Sequence, residues 1–428
     1  MKRILFLVEA ATLAHVVRPL VLARSLDPES YEIFWACAPR YQNIIGKLPF
    51  HTRTLNSISS ERFVKAAADG GLPYDTATIR EYVKEEINLI KEIKPDVVVS
   101  DFRFSSTIST KITGVPCVTI TSAYWSPYSL LRLPVPEHPL PRLLGVRIFE
   151  LLYPILLKPI YSFFFALYSL PVNRVLREYG FPALKLDLRY IHSAGNYTLY
   201  ADLPELVPTR TLPATHRFIG PLLWSPDISL PSWWDRVPKD KPIIYVSLGS
   251  SGKQELLPMV LETLSKLDVY MLAVTAGRIE LNSIPANAFV SEYLPGHEAV
   301  ARANLVICNG GSPTTYQALA AGKPMIGIPS NVDQYLNMQA ICRAQAGIMI
   351  RSDMVNPLSL KLAVTDMLSQ PAFNQVATAL AKVSASYNAC AYFNTVIQAI
   401  CFSKVHVTQP AETSLDVEPL LHEAGHRG

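Results

Sequence analysis

The chain has 428 residues, of which 49% are hydrophobic and 17% charged, a composition that excludes a disordered chain and is typical of a globular protein. This length exceeds what one hydrophobic core normally serves, so we expect two domains. The formal net charge of +4 is small and no basic run carries interleaved aromatic residues, so we expect no nucleic-acid partner.

The first elements indicate an intracellular α/β protein. The basic start Met1-Lys2-Arg3 precedes an apolar run, residues 4–8, that is too short for a signal peptide and is better explained as a buried first strand. Six cysteines are scattered without Cys-x-x-Cys spacing, as expected of buried thiols in a reducing cytosol. We therefore expect a cytoplasmic protein, either free or held peripherally on the inner face of a membrane.

Strands and helices alternate along the first half. Helices are predicted at residues 15–26 and from Thr78, where Thr78 and Glu81 have the spacing of a capping box. Short apolar runs predict strands at residues 4–8, 31–36, 97–100 and 117–121. This alternation predicts a parallel, doubly wound sheet, whose ligands bind beyond the carboxyl ends of the strands.

Residues 130–170 interrupt the alternation and are rich in Pro, Leu, Tyr and Phe. Residues 151–170 approach the length of a membrane span, but Pro154, Lys158 and Pro159 interrupt them. Two other interpretations are a pair of helices that line the ligand side of the first domain, and an interfacial helix that contacts a membrane through residues 143–170. Both of these favour a lipophilic ligand.

A polar, proline-rich stretch at residues 223–240 is predicted to link a first domain, residues 1–222, to a second, residues 241–404. The second domain opens with a strand at residues 242–247 that runs into Gly249-Ser250-Ser251-Gly252 and a helix at residues 253–267. Further helices are predicted at residues 338–346, 357–368 and 375–400, the last crossing back to the first domain. Residues 405–428 are expected to form a flexible tail.

The densest pattern lies in residues 304–337. A strand at Leu305–Cys308 runs into Gly310-Gly311, and a helix follows with Ser312 as its predicted N-cap. The free N–H groups and the dipole of this helix N-terminus favour an anion, above all a phosphate or diphosphate. Asp333 and Gln334 follow the next strand, where a carboxylate and an amide can hold sugar hydroxyls.

This stretch resembles the donor-binding signature of the UDP-glycosyltransferase superfamily, a group of inverting enzymes with the GT-B fold. The family's phosphate-binding His is Asn309 here, and the Glu that holds the ribose is Gln317; both amides can still form hydrogen bonds. The residues shared with the signature are Gly310, Gly311, Thr315, Ala318, Leu319, Gly322, Pro324, Pro329, Asp333, Gln334 and Asn337. The resemblance implies two Rossmann-like domains that face a central cleft, the first binding the acceptor and the second the nucleotide sugar.

The resemblance also implies the rest of the donor site. Ser250 matches the family's loop serine that contacts the diphosphate. Tyr293, before Pro295-Gly296, matches the aromatic residue that stacks near the base; an ordinary core tyrosine is the alternative. Together with Asn309, Gly310, Gly311, Ser312, Gln317, Asp333 and Gln334 these residues form the predicted donor site.

His15 and Asp101 each follow a predicted strand of the first domain. A lone His at a helix start is more often a cap or a core residue, but this segment resembles the one that carries the family's general base, with Ala14 in place of the usual Gly. The resemblance implies that Asp101 orients His15; the alternative for Asp101 is a helix N-cap. An imidazole with an ordinary pKa near 6.5 accepts a proton from a hydroxyl at neutral pH.

The sequence therefore predicts an inverting hexosyltransferase that uses a nucleotide-diphospho sugar, by resemblance UDP-linked, and a small or lipophilic acceptor. We expect no cofactor and no metal, because no Asp-x-Asp site occurs in the right context. One alternative is a non-catalytic nucleotide-binding or partner protein of the same fold, which Asn309 and Gln317 favour. The other is a nucleotide-sugar 2-epimerase, in which the His15 and Asp101 segments are not expected beside Asp333-Gln334. The oligomeric state stays open.

Overall fold

Two parallel β-sheets organise the chain in the computed structural model, which describes residues 1–69 and 71–402. The predicted tail, residues 405–428, lies outside the described residues. The first sheet contains β1 (Lys2–Val8), β2 (Tyr31–Cys37), β3 (His51–Arg53), β4 (Val97–Asp101), β5 (Cys117–Thr121), β6 (Tyr197–Tyr200) and β7 (His216–Phe218). The second contains β8 (Ile243–Ser247), β9 (Tyr270–Val274), β10 (Ala288–Ser291), β11 (Leu305–Cys308), β12 (Met325–Gly327) and β13 (Gly347–Met349).

Helices connect the strands and cover both faces of each sheet. The helices that connect strands of the first sheet are α1 (Leu13–Ser25), α2 (Gln42–Ile45), α3 (Ser60–Asp69), α4 (Thr76–Ile93), α5 (Ser106–Thr113), α6 (Pro139–Leu144), α7 (Val146–Leu151), α8 (Lys158–Glu178) and α9 (Leu188–His192). A π-helical turn, Tyr153–Leu157, leads into α8. The later helices are α10 (Leu257–Ser265), α11 (Gly296–Arg302), α12 (Ser312–Ala320), α13 (Val332–Arg343), α14 (Pro357–Ser369), α15 (Pro371–Ser386) and α16 (Ala389–Phe402).

Both sheets have the doubly wound strand order. The first runs β3-β2-β1-β4-β5-β6-β7 and the second β10-β9-β8-β11-β12-β13, with every pair parallel. In this order the chain reverses direction across the sheet between β1 and β4, and again between β8 and β11, and each reversal opens a crevice at the carboxyl ends of the strands. The predicted pair of Rossmann-like units is confirmed.

The last helix returns to the first sheet, where Phe393 of α16 is fully buried and its ring centroid lies 6.3 Å from that of Phe6 in β1. The sequence predicted one helix over residues 375–400, but extended backbone at Tyr387 separates α15 from α16. Between Phe218 and Ile243 the only regular element is a 3₁₀ turn at Trp234–Arg236, as a connection between the sheets requires.

Two predicted helix caps are wrong. Helix α4 begins earlier than Thr78: Asp75 is its N-cap, and the Asp75 side chain accepts a hydrogen bond from the Thr78 N–H at 2.7 Å. Gly311 is the N-cap of α12, and Ser312 is the first helical residue. Both N-caps have extended backbone, and Asp75 in addition supplies a side-chain acceptor to the first turn of its helix.

Candidate active site

The crevices of the two sheets open onto one cavity of about 840 Å³. His15 and Phe102 line it from the first sheet. From the second sheet it is lined by every predicted donor residue except Gly310, namely Ser250, Tyr293, Asn309, Gly311, Ser312, Gln317, Asp333 and Gln334. The structure therefore brings the predicted catalytic and donor residues together.

His15 and Asp101 form a hydrogen-bonded pair at the β1/β4 crevice. His15 lies in the first turn of α1 and Asp101 is the last residue of β4, next to Val8 of β1. The imidazole Nδ1 lies 2.8 Å from Asp101 Oδ1, and the carboxylate is fully buried. Asp101 does not cap a helix, since the N-cap of α5 is Ser105.

Arg18, one helical turn after His15, is buried and binds the same carboxylate. Its Nε donates to Asp101 Oδ2 at 2.8 Å and its Nη2 to Oδ1 at 2.7 Å, a bidentate ion pair. Burial raises the pKa of Asp101, but the Arg18 charge and the hydrogen bond from His15 outweigh burial and hold that pKa below its ordinary value. Asp101 is therefore ionised at neutral pH and can only accept hydrogen bonds.

This charge state fixes the tautomer of His15. Because Asp101 only accepts, the proton of the neutral imidazole is on Nδ1, and the Nε2 lone pair is free to accept a proton. The 3.1 Å contact between Arg18 Nη2 and His15 Nδ1 then joins two donors that share Asp101 Oδ1. Sequence reasoning missed Arg18, because an arginine in a helix is usually a surface residue.

Phe102 holds the other side of the imidazole ring. It follows Asp101 with φ +55°, a backbone conformation that non-glycine residues rarely adopt. Its ring stacks on His15 with centroids 4.3 Å apart and an interplanar angle of 15°. The backbone at Phe102 thus places an aromatic surface against the ring that Asp101 orients.

The diphosphate cradle predicted at the β11–α12 turn has a rigid frame. Gly310 has φ +80°, and a Cβ there would lie 2.5 Å from Met338 Cγ, so the turn requires glycine. The Asn337 amide donates to the Gly310 carbonyl and to Thr315 Oγ1, both at 2.8 Å. The N–H groups of Ser312 and Thr314 lie in the first turn of α12, where no helical carbonyl accepts from them. They are available to an anion.

Asn309 already accepts a hydrogen bond from one N–H donor of the diphosphate cradle, that of Gly311. Its Oδ1 accepts from the Gly311 N–H at 3.1 Å, and its Nδ2 lies 3.5 Å from Ser251 Oγ. A Cβ at Gly249 would lie 2.9 Å from Asn309 Nδ2, and one at Gly252 would lie 2.8 Å from Asn309 Cβ. The asparagine is thus packed between two glycines, with its amide N–H turned to the loop that carries Ser250.

Gln317 is held by the connection between the sheets, where its Nε2 donates to the Trp224 carbonyl. A Cβ at Gly296 would lie 2.5 Å from Gln317 Oε1. The side chain of Gln317, one of the two departures from the family signature, is therefore packed against the backbone at Gly296. Gln317 fits because position 296 carries no side chain.

Asp333 and Gln334 differ in how far the protein already engages them. Trp125 Nε1 donates to Asp333 Oδ1 at 2.7 Å, and Oδ2 makes no hydrogen bond with the described part of the chain. The amide of Gln334 is buried and joins two loops: Oε1 accepts from the Ser330 N–H at 2.9 Å, and Nε2 donates to Ser251 Oγ at 3.2 Å. Asp333 thus has a free oxygen for a ligand, whereas a ligand would have to compete with protein groups for the amide of Gln334.

Ser250 and Tyr293 lie on the far side of the cradle. The Tyr293 hydroxyl donates to the Ala276 carbonyl at 3.0 Å, and its half-buried ring lines the cavity. The Ser250 carbonyl accepts from Arg278 Nη1, while its side chain makes no hydrogen bond with the described residues. Both residues line the cavity, and the roles implied by the resemblance stay predictions.

Aromatic side chains form the first-sheet wall of the cavity, among them Trp125, Phe165 and His192. His192 stacks on Trp125 with centroids 5.1 Å apart and an interplanar angle of 10°. Burial, followed by the electrostatic effect of His15, lowers the pKa of His192 to about 3. The wall is largely aromatic and suits a lipophilic ligand.

The neutral state of His192 predicts an acid-dependent loss of stability. Below pH 6.5 the unfolded chain binds a proton at His192 that the folded chain does not bind until about pH 3. We expect the free energy of unfolding of wild type to fall, relative to His192→Phe, by about 1.4 kcal/mol per pH unit from pH 6.5 to 4. Urea unfolding at several pH values measures this, and parallel profiles for the two proteins would contradict it.

Glu137 ties the two halves together beside the cavity. It lies before α6, and its carboxylate accepts from the hydroxyls of Tyr335 and Ser352, each at 2.7 Å, while Lys253 Nζ lies 2.8 Å away. These three partners belong to the second half of the chain, so Glu137 bridges the two halves beside the cavity. Sequence reasoning missed Glu137, whose partners lie 116 to 215 residues away.

Comparison with known proteins places these features in a family context. Residues 258–393 match the family described as "Erythromycin biosynthesis protein CIII-like, C-terminal domain". The chain is 51% identical over 381 residues to a "PGL/p-HBAD biosynthesis glycosyltransferase" of Mycobacterium tuberculosis, covering 89% of this chain and 88% of that protein. It is 47% identical over 380 residues to a "PGL/p-HBAD biosynthesis rhamnosyltransferase" of Mycobacterium bovis, covering 89% and 84%.

Two further similarities bear on activity and fold. The chain is 49% identical over 265 residues, 62% of this chain and 71% of the relative, to an "Inactive PGL/p-HBAD biosynthesis glycosyltransferase" of Mycobacterium bovis. The solved structure "Spinosyn Rhamnosyltransferase SpnG complexed with thymidine diphosphate" matches with a TM-score of 0.68 at 16% identity, covering 93% of this chain and all of that one. The predicted GT-B fold is confirmed.

Proposed function

The chain belongs to the UDP-glycosyltransferase superfamily, and from this membership we propose that it is an inverting glycosyltransferase moving a hexose from a nucleoside-diphospho sugar to a hydroxyl of a lipophilic acceptor. The observation that carries the proposal is that the His15 imidazole and the N-terminus of α12 line the same cavity. A base and an anion cradle on opposite sides of one space are what a single displacement at an anomeric carbon needs.

In the proposed reaction, His15 Nε2 takes the proton of the acceptor hydroxyl as its oxygen attacks the anomeric carbon. The bond from that carbon to the diphosphate breaks on the opposite side, so the configuration inverts. The proton stays on His15, and the Asp101 carboxylate, 2.8 Å from Nδ1, stabilises the imidazolium. Charge that develops on the diphosphate is stabilised by the N–H groups of Ser312 and Thr314 and by the dipole of α12. We propose that these donors act without a metal ion.

The groups that line the cavity narrow the choice of donor and acceptor. We propose that the free Asp333 oxygen holds a hydroxyl of the donor hexose, beside the indole of Trp125. The aromatic wall favours a lipophilic acceptor. We propose that this acceptor belongs to the PGL/p-HBAD biosynthesis for which the relatives are named. Uridine and thymidine are both candidate nucleosides; the resemblance favours uridine, and the SpnG structure was solved with thymidine diphosphate.

A non-catalytic protein of the same fold is the second candidate, favoured by the relative whose name describes it as inactive. The intact His15 and Asp101 pair argues for catalysis instead. Incubation of wild type with UDP- and dTDP-linked hexoses and a panel of lipophilic acceptors that carry a hydroxyl tests the choice. A glycosylated product supports the transferase, whereas nucleotide binding without turnover across the panel supports the non-catalytic protein.

The isosteric substitution Asn309→Asp tests the cradle. It keeps the acceptor for the Gly311 N–H but adds a negative charge beside the bound diphosphate. At roughly 5 Å and an effective dielectric constant of 20, two unit charges repel by about 3 kcal/mol. We expect the Kd for the nucleoside diphosphate, measured by calorimetry, to rise at least about tenfold.

A matched control is Asn304→Asp, because Asn304 accepts from the Ile243 N–H at 2.9 Å outside the cavity. This control is expected to bind like wild type. Equal effects at the two positions, or none at position 309, would mean that the diphosphate does not bind beside Asn309.

A further inference from the structure

Residues 140–170 carry a large apolar surface. Twelve of the 25 exposed large apolar side chains in the described part of the chain lie within these 31 positions. Leu143 and Leu151 are each 81% exposed, Ile155 is 80% exposed and Phe163 is 65% exposed. A contiguous apolar patch of this kind on a folded domain marks a binding surface. We call the exposed side of α6, α7 and α8 the apolar face.

Helix α8 has two sides with different surroundings. Phe163 and Leu170, a helical repeat apart, are exposed, and the same stripe ends in exposed Arg174 and Arg177. On the opposite side Tyr161 and Phe165 are buried and line the cavity. One side of the helix thus faces the solvent and the other faces the proposed acceptor site.

The cavity opens at the apolar face. Ile160 is 40% exposed and Phe164 is 37% exposed, and both also line the cavity. These two side chains therefore form part of the rim between the apolar face and the interior. A molecule held at this face has a short apolar path to His15.

The charge of this region is complementary to an anionic surface. Residues 139–178 carry five cationic side chains, Arg142, Arg147, Lys158, Arg174 and Arg177, against two acidic ones. Glu178 is already paired with Arg80 at 2.7 Å, whereas none of the five cations forms an ion pair within residues 1–69 and 71–402. Unpaired cations around exposed leucine, isoleucine and phenylalanine are the pattern of an interfacial lipid-binding helix.

We propose that the apolar face docks on an anionic lipid bilayer, which brings the rim at Ile160 and Phe164 against the lipid. The run Tyr153–Glu178 is long and apolar enough by length and composition to cross a membrane, with 28% of its most apolar window buried. We propose that this run lies on the membrane surface and does not cross the bilayer, because Phe165, Val172 and Leu176 on its inner side are buried within the protein. A further step, in which docking delivers a lipophilic acceptor to the cavity, rests on the proposed function.

Sedimentation of the full chain with vesicles tests the docking. One set of vesicles contains phosphatidylglycerol and phosphatidylcholine, and the other phosphatidylcholine alone. We expect binding to the anionic set, weakened by salt, and at least a tenfold lower partition coefficient for Leu151→Glu/Ile155→Glu/Phe163→Glu. The control Met354→Glu/Leu358→Glu/Leu362→Glu changes side chains that are 45%, 66% and 60% exposed on the second half, and should bind like wild type.

Three results would overturn the proposal. The first is that wild type binds neither set of vesicles. The second is that the Leu151→Glu/Ile155→Glu/Phe163→Glu variant binds as wild type does. The third is that wild type binds no vesicles and is a dimer, which this variant converts to a monomer. The last would assign the face to a second copy of the chain. The thermal shift caused by nucleoside diphosphate should be equal in all three proteins. Vesicle binding thus reports on docking even if transfer is never observed.

Discussion

Replacing His15 by alanine is expected to lower turnover by a factor on the order of 10² to 10⁴, the contribution of a general base. The loss should fall on kcat, because the His15 ring lies across the cavity from the donor cradle and contributes to the reaction rather than to nucleotide binding. The Kd for nucleoside diphosphate should match that of wild type. Steady-state kinetics with the preferred donor and calorimetry with its diphosphate measure the two quantities.

The matched control for this prediction is His297→Ala. His297 is exposed at the start of α11 and does not line the cavity, so its loss should leave kcat unchanged. If His15→Ala keeps more than about a tenth of wild-type kcat, His15 is not the base. If it loses nucleotide binding as well, the crevices of the two sheets are coupled in a way that the proposed mechanism does not include.

Asp101→Asn is expected to reduce turnover by a factor on the order of 10² or more and to lower stability by about 3 to 5 kcal/mol. Arg18 donates to both carboxylate oxygens, so it will claim the single amide oxygen of asparagine. The amide N–H then faces His15 Nδ1, which must accept, and the ring proton moves to Nε2. The base is lost through its tautomer, and Arg18 is left as an uncompensated buried charge.

The double variant Asp101→Asn/Arg18→Met separates these two effects. Removing both charges should recover most of the free energy of unfolding measured in urea, because no unpaired charge stays buried. It should not recover full turnover: without Arg18 the asparagine oxygen is free to accept from His15 Nδ1, but no carboxylate then stabilises the imidazolium that forms in the reaction. A double variant that regains both would show that Asp101 acts on stability alone.

Much of the fold and site could be predicted because the signals are local. The strand, glycine turn and helix at residues 305–320 are set by adjacent residues. Parallel strands bring their carboxyl ends to one edge of a sheet, so the positions of His15 and Asp101 after β1 and at the end of β4 predict that they lie close together. Strands β6 and β9 were missed, since an apolar run of four or five residues does not distinguish a strand from part of a buried helix.

Other site features could not be predicted because they depend on contacts between distant positions. Arg18 reaches Asp101 across 83 residues, and Trp125 reaches Asp333 across 208. No periodicity or spacing records such pairings. Phe102 belongs to the same group, since its positive φ and its contact with His15 follow from the tertiary structure.

The departures from the family signature have a packing explanation. Asn309 is packed against Gly249 and Gly252, and Gln317 occupies the space that Gly296 leaves. The side chains of Asn309 and Gln317 therefore each pack against a neighbouring glycine. Each also forms a hydrogen bond with a backbone group. The two departures are therefore accommodated within the packing of the fold.

The most direct test is a crystal structure of the full chain with a bound nucleoside diphosphate. We predict that the diphosphate contacts the N–H groups of Ser312 and Thr314, with His15 Nε2 directed into the same cavity where the sugar would lie. A diphosphate bound elsewhere, or a His15 ring separated from it by protein, would contradict the proposed mechanism.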